Sequence, residues 1–384
     1  MRNLGWILLV LALLPGCKLF KGKDKEIIDP PAVLAKFTPT ATIKKLWSTS
    51  TGDGVARTGA KPRPAYADGR IYVTDADAGL RAYGADNGRK LWNYSSKQPL
   101  VSGVSVAGDL VVVGSIEGNV IALSAQTGAE RWHAQISSEI LVAPVIDAAV
   151  VVARSNDGRI TGLDATDGKI LWKFDRGAPL ISLRGNSQPI ALAGTIYAAY
   201  DNARVVALRA SDGVLLWEQT ISRAEGRTEL ERMNDVDGEI QIVDDVIYAV
   251  SYRGQVVALT IDNGRILWSR DMSSYVGLAF SGKVVFGADE HSNVWALDYR
   301  SGSSLWKSEG LSNRWLTSPV TMGELLVVGD FKGYLHWLKS DDGSFAAREK
   351  VAKKGIRSTP LVVGNRVYVA TVDGHLAAFE VAGG

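Results

Sequence analysis

A frame of eleven residues recurs along nearly the whole chain: a small residue, a glycine six positions on, and a tryptophan four after that. It reads Ala82, Gly88, Trp92, then Ala122, Gly128, Trp132, then Gly162, Gly168, Trp172, and again at Ala207–Trp217, Ala258–Trp268 and Ala296–Trp306. A weaker copy, Trp337 to Gly343, carries Ala347 where the tryptophan belongs, and an eighth starts at Ala378–Phe379. Successive glycines from Gly88 to Gly343 lie 40, 40, 45, 51, 38 and 41 residues apart. A repeat of this length restricts the chain to stacked or radial repeat architectures.

Each unit has four pieces. A short apolar run precedes the frame, as at Arg70–Thr74, Leu110–Gly114 and Arg366–Ala370. A Glu-Gly or Asp-Gly pair follows at Glu117–Gly118, Asp157–Gly158 and Asp373–Gly374, and then a second run such as Asn119–Leu123. Two β-rich runs around such a link read as a hairpin. The next turn, as at Asp167–Gly168, leads into a strand ending on the tryptophan. Upstream stands a column of small residues and prolines, Pro64, Gly103, Pro144, Pro189, Gly238, Gly277, Pro319 and Pro360, which marks a fourth strand. No long stretch has helical apolar spacing across the repeats.

Eight units of four strands predict an all-β, eight-bladed β-propeller of antiparallel blades, in which radial packing leaves only short strand edges. A solenoid needs polar capping repeats, and none is visible. The last repeat also lacks its fourth strand, while Ile43–Thr51 carries an unassigned Leu46–Trp47. That N-terminal strand is expected to complete the last blade and close the ring. Seven of the eleven tryptophans share one column, so they read as blade-to-blade packing rather than a ligand cage.

Composition narrows the function classes. A formal net charge of +2 gives no field that draws the chain to nucleic acid. His133, His291, His336 and His375 have no metal-ligand spacing and read as surface or strand-edge residues, so no metal site is expected. Residues 1–16 form a short signal: Arg2, an apolar stretch Leu4–Leu14 too short to span a bilayer, then Pro15–Gly16. Leu14-Pro15-Gly16-Cys17 resembles the bacterial lipoprotein cleavage box, with the chain's single cysteine as the acylated first residue. Several acyl chains on one residue make a stable anchor. In Gram-negative lipoproteins an aspartate after the cysteine retains the protein at the inner membrane. Lys18 stands here, which favours the outer membrane. Residues 17–40, with mixed charges and prolines, read as a lipidated cysteine and flexible tether, and 41–384 as the propeller.

The tryptophan frame resembles the pyrroloquinoline-quinone (PQQ) type of eight-bladed propeller. One branch, the quinoprotein dehydrogenases, holds its cofactor with a vicinal cysteine pair and a calcium site. This chain has a single cysteine, and those dedicated groups are missing. No cofactor and no catalytic residue are expected. The other branch is the BamB family, lipoproteins of the outer-membrane β-barrel assembly (BAM) machinery, and the resemblance runs from the lipidation box to Gly384. Ile181-Ser-Leu-Arg-Gly-Asn-Ser-Gln-Pro189 is similar to that family's Leu-x-Leu-Arg-Gly-x-Ser-x-Pro stretch, and Asn234-Asp-Val-Asp-Gly238 to its Asp-Val-Asp stretch. In the family these two loops dock on the periplasmic POTRA domains of the barrel protein BamA. The resemblance thus implies a non-enzymatic scaffold with Ile181, Leu183, Arg184, Asp235 and Asp237 as partner contacts. Ile181 replaces a leucine, Gln188 an alanine and Gly238-Glu239 a Thr-Thr, which touches loop shape more than the contacts.

The residues support these loops independently. Asp235 and Asp237 lie three and one positions before the Pro/Gly column, and no other unit has two acids there. Residues two apart on an extended backbone share a face. Arg184 lies five before the column in the preceding unit, and the charged insertion Ser222–Asn234 adjoins the acids. An inter-blade ion pair that only stabilises the rim is the competing reading of these charges. A generic periplasmic propeller lipoprotein with another envelope partner is the competing reading of the chain, since fold alone decides no function. Binding of unfolded outer-membrane protein clients by strand addition is compatible with the blade edges and is specified by no residue.

Overall fold

In the computed structural model the residues described are 29–54, 60–76, 79–175, 187–200, 202–222, 236 and 238–382. Among them thirty-two strands form eight four-stranded antiparallel sheets, each wound as a simple meander. Seven sheets take their strands from one continuous stretch: 65–94, 100–135, 145–174, 190–220, 241–271, 279–308 and 320–350, blades 1 to 7. Blade 8 combines Leu361–Val363, Arg366–Ala370 and His375–Ala382 with Thr42–Ser50 from the other end of the chain. Its register runs from Thr42 opposite Ala382 to Ser50 opposite His375, so the ring-closing strand is the one expected.

Burial explains the strand compositions. Middle strands are covered on both faces by neighbouring blades, and Leu110–Ser115 is buried at every position. In the outermost strand of blade 3, Ile170, Leu171 and Lys173 are exposed and Trp172 alone is buried. The small residue of the frame faces the tryptophan across the two outer strands, as Ala82 does Trp92 and Ala207 does Trp217. A register shift directly follows the small residue in blades 1 to 6 and follows Trp337 at the same position of blade 7, and blade 8 has its shift between Lys45 and Trp47. Such a bulge re-aims the side chain after it.

Each tryptophan is shared with the next blade. The indole of Trp92 donates to Ala125 O at 3.0 Å, that of Trp132 to Ala165 O at 2.9 Å, and that of Trp172 to Ala210 O at 2.9 Å. Trp217, Trp268 and Trp306 repeat this to Ile261, Tyr299 and Ser340, and Trp47 closes the circle on Ala85 at 2.9 Å. In every case the acceptor lies three residues before the next turn glycine. Gly128 has φ +72°, and a Cβ there would sit 2.5 Å from Trp92 Cε3. Only glycine meets both conditions.

The missing tryptophan of blade 7 follows from the same rule. Its indole would cover the turn between the third and fourth strands of blade 8, and that turn does not exist because those strands come from opposite ends of the chain. Blade 7 exchanges large and small instead: Trp337 sits on the third strand opposite Ala347, fully buried and edge-on to Phe379 at 6.1 Å.

Two expectations change. The stretch read as flexible tether through Thr40 is fixed from Ala32 onward. Ala32 N donates to Ser312 O at 2.8 Å, Arg314 and Arg348 donate to the carbonyls of Ala32 and Ala35, and Phe37 stacks on Phe345 at 5.4 Å. His336 is not a surface residue; it is fully buried. Its Nε2 lies 3.0 Å from Asp330, which also binds Arg314 at 2.6 Å, and Arg348 Nε donates to its Nδ1 at 3.2 Å. Nδ1 therefore accepts and Nε2 carries the proton. Burial pushes the imidazole below its ordinary pKa. Burial also raises the Asp330 carboxyl, but bonds from His336, the Tyr334 amide and Arg314 outweigh it and hold the group below the usual carboxylate range. A buried charge is tolerable only with such partners.

Candidate docking rim

A meander of four strands puts its blade-to-blade connections and its second-to-third-strand turns on one rim, the connection rim. The other two turns, including the turn glycines, fall on the opposite rim. The candidate contacts belong to the connections from blade 3 to 4, between Phe174 and Ile190, and from blade 4 to 5, between Thr220 and Gln241. Ile181, Leu183, Arg184, Asp235 and Asp237 themselves lie outside the described residues, as do Cys17 and residues 223–234 of the insertion.

The described ends of both connections are anchored in the core. Ser187 is fully buried, and its carbonyl accepts from Arg154 Nη1 at 3.1 Å. Arg154, itself buried, also donates to Ala199 O at 2.6 Å and lies over the Tyr200 ring at 5.1 Å. It pins the returning end of the first connection to blade 4. Its signal in the sequence is an arginine closing the otherwise apolar run Val150–Arg154. Val236, between the two acids, is fully buried with Ala203, Ile221 and Ile240. At Gly238 a Cβ would lie 2.6 Å from Val276 O, so the next connection packs directly on this backbone.

Glu239 binds Arg63 at 3.1 Å. Arg63 enters blade 1 and Glu239 enters blade 5, half a turn apart in a ring of eight, so the pair crosses the mouth of the central channel. Lys61 lies 5.9 Å over the ring of Tyr275, in the connection from blade 5 to 6. Both ends of the pair are part-exposed, so its worth is geometric more than energetic.

Among the described residues no group of three or more His, Cys, Asp or Glu is placed to hold a metal ion. A cleft of about 190 Å³ beside blades 5 and 6 is lined by Asp289, Glu290, His291 and Trp295, below the usual size of ligand sites. Its Trp295 is already used: Nε1 donates to Asp289 at 2.9 Å, and Arg270 and Lys307 lie over the ring at 5.4 and 5.0 Å.

The sequence model of the family described as "Outer membrane protein assembly factor BamB" matches residues 38–102, 80–308 and 296–384. The chain belongs to the BamB family. An outer membrane protein assembly factor BamB of Xanthomonas campestris pv. campestris is 38% identical over 397 residues, covering 99% of this chain and 98% of that one. The crystal structure of BamB from Moraxella catarrhalis superposes with a TM-score of 0.81 at 28% identity, over 88% of this chain and 100% of that one. A quinohemoprotein alcohol dehydrogenase from Comamonas testosteroni reaches a TM-score of 0.71 at 17% identity, over 89% and 77%. That likeness shows the shared propeller alone. Between the two branches that share the tryptophan frame, the chain falls in the BamB family.

Proposed function

We propose that this chain is a non-enzymatic scaffold of the outer-membrane β-barrel assembly machinery. Acylated Cys17 holds it on the periplasmic face of the outer membrane. It docks on the POTRA domains of BamA through Ile181, Leu183, Arg184, Asp235 and Asp237, and so aids insertion of outer-membrane proteins. Membership of the BamB family along almost the full chain carries this reading. The anchored ends of the two connections support it. Ser187 and Val236 are buried, so each connection has a residue held in the core beside the proposed contacts. The reading needs no cofactor or metal.

The test is binding of each variant to a POTRA-domain fragment of BamA by calorimetry. Arg184→Ala, or Asp235→Ala together with Asp237→Ala, removes one side of a charged contact, which costs about 2–5 kcal/mol. That moves a micromolar affinity out of easy reach. Leu183→Ala weakens the apolar centre, while Arg357→Ala in the connection from blade 7 to 8 leaves binding intact. Loss of melting temperature with wild-type binding would instead make the charges a structural ion pair. Cys17→Ser yields a protein that fractionates with the soluble periplasm, and retention in the outer membrane without its partner refutes the anchor.

A further inference from the structure

The connection rim carries a second surface, on blade 7. Trp315 is 64% exposed and adopts φ +48°, a left-handed conformation that is strained for a bulky side chain. It is the most exposed tryptophan among the described residues, and it has no part in the blade-to-blade column. Its indole lies 5.8 Å from the Phe331 ring, and Lys332 Nζ is 5.0 Å over the other aromatic of this pair, Phe331. The connection from blade 7 to 8 runs beside them: a Cβ at Gly333 would meet Lys354 O at 2.2 Å, and one at Gly355 would meet Phe331 O at 2.6 Å. Lys332, Lys350, Lys353 and Lys354 are all exposed. Three acids around this corner are engaged, Asp330 being buried on Arg314 and His336, Asp373 accepting from Thr371 and Glu309 pairing with Lys307, while Glu349 adjoins Lys350 on the last strand of blade 7.

The fixed linker begins at the same corner. Ala32 is bonded to Ser312 and Arg314, immediately before Trp315 in the same connection. From there the chain crosses blade 7 to Ala346 and turns into the ring-closing strand. Ala32 therefore lies at the rim that bears the exposed tryptophan and lysines.

We propose that this corner, with Trp315, Lys332, Lys353 and Lys354 at its centre, is a second membrane contact that seats on an anionic phospholipid surface. The chemistry is complementary on each count. Ammonium groups meet lipid phosphates, and an exposed indole suits the interface between headgroups and acyl chains, where its apolar body and N–H are both accommodated. Arrival of the linker at this corner adds proximity, and that one argument rests on reading Cys17 as the acylated residue. The charge and the tryptophan stand without it. Blades 3 to 5, which carry the proposed BamA contacts, lie across the ring from blades 7 and 8, so both surfaces can be engaged at once.

The experiment uses the full chain carrying Cys17→Ser, which has no acyl chain, and sediments it with vesicles. Vesicles of phosphatidylethanolamine with phosphatidylglycerol should retain it at low salt, and vesicles of phosphatidylcholine should not. Replacing Lys332, Lys353 and Lys354 together by glutamine should weaken retention about a hundred-fold, since each basic residue near an anionic surface is worth about a factor of five. The salt dependence should flatten as well. Trp315→Ala should weaken retention several-fold at every salt concentration and leave the slope unchanged. Unaltered melting and near-ultraviolet circular dichroism show that the fold is kept. Equal retention on both vesicle types overturns the proposal, as does a triple variant that binds like the parent. No vesicle binding, together with loss of POTRA-fragment binding in the triple variant, would reassign the corner to a protein partner. Should Arg184→Ala leave POTRA binding unchanged while the vesicle results hold, the docking reading alone falls.

Discussion

Trp47 is the one column tryptophan whose own strand is held in its blade only by hydrogen bonds between the two ends of the chain. Trp47→Ala removes an indole that covers the turn glycine Gly88, donates to Ala85 O at 2.9 Å and lies 6.0 Å from the Tyr368 ring. Truncating a buried aromatic to alanine costs about 3–5 kcal/mol. Trp47 is half-buried, which places the packing loss near the lower end, about 3 kcal/mol. The Ala85 carbonyl loses its donor for about 1 kcal/mol more. At roughly 2 °C per kcal/mol for a large domain, melting should fall by about 6–8 °C. Trp132→Ala, which removes a more deeply buried indole with the same kind of hydrogen bond, should cost at least as much. What separates them is hydrogen exchange. Opening of Thr42–Ser50 breaks one strand pair, that with His375–Ala382. Exchange in that strand should therefore accelerate by two to three orders of magnitude in Trp47→Ala, following the roughly 4 kcal/mol above, and hardly at all in Trp132→Ala. If Trp47→Ala melted within about 2 °C of the parent and exchanged Thr42–Ser50 at the parent's rate, the seam would not depend on this indole and the closure argument would fail.

Gly128→Ala forces φ +72° on a residue with a Cβ 2.5 Å from the Trp92 ring, and urea unfolding should show a loss of about 2–3 kcal/mol. Removal of residues 1–31 should leave melting unchanged, whereas removal through Thr40 also takes the Ala32, Ala35 and Phe37 contacts and should lower it by several degrees in calorimetry. The buried network should make the fold acid-sensitive in two steps. His336 has a depressed folded pKa, so its contribution is complete above the unfolded value of about 6.5 and is lost as pH falls below it, the unfolded chain taking the proton first. Asp330, also depressed, contributes above its unfolded value of about 3.9 and loses that only as pH falls through its lower folded pKa. His336→Gln should remove the first step from a plot of melting temperature against pH and keep the second; an unchanged first step would show that another group titrates there.

The eight units, their four strands, the role of the tryptophan column and the closing strand were legible in the sequence because their causes are local. A turn glycine, a two-residue alternation and a small residue opposite a large one leave marks at fixed spacing. The candidate contacts rest on two family-like stretches and a unique acid pair, since segments between repeats have no periodicity to read, and they lie outside the described residues. Tertiary structure alone decided which groups meet across long stretches of chain. It assigned each indole a carbonyl in the following blade, and turned the apparent defect at Ala347 into an exchange with Trp337, because blade 8 has no turn for a tryptophan to cover. It drew His336 from an expected surface position into an ion network with Arg314, Asp330 and Arg348, and fixed Ala32–Ala41 on blade 7 where composition suggested a loose tether. Arg63 and Glu239, 176 residues apart, meet only because ring closure puts blades 1 and 5 on opposite sides of one channel. Spacing records what a residue does to its neighbours in sequence; contacts made by closing the ring have no such spacing to record.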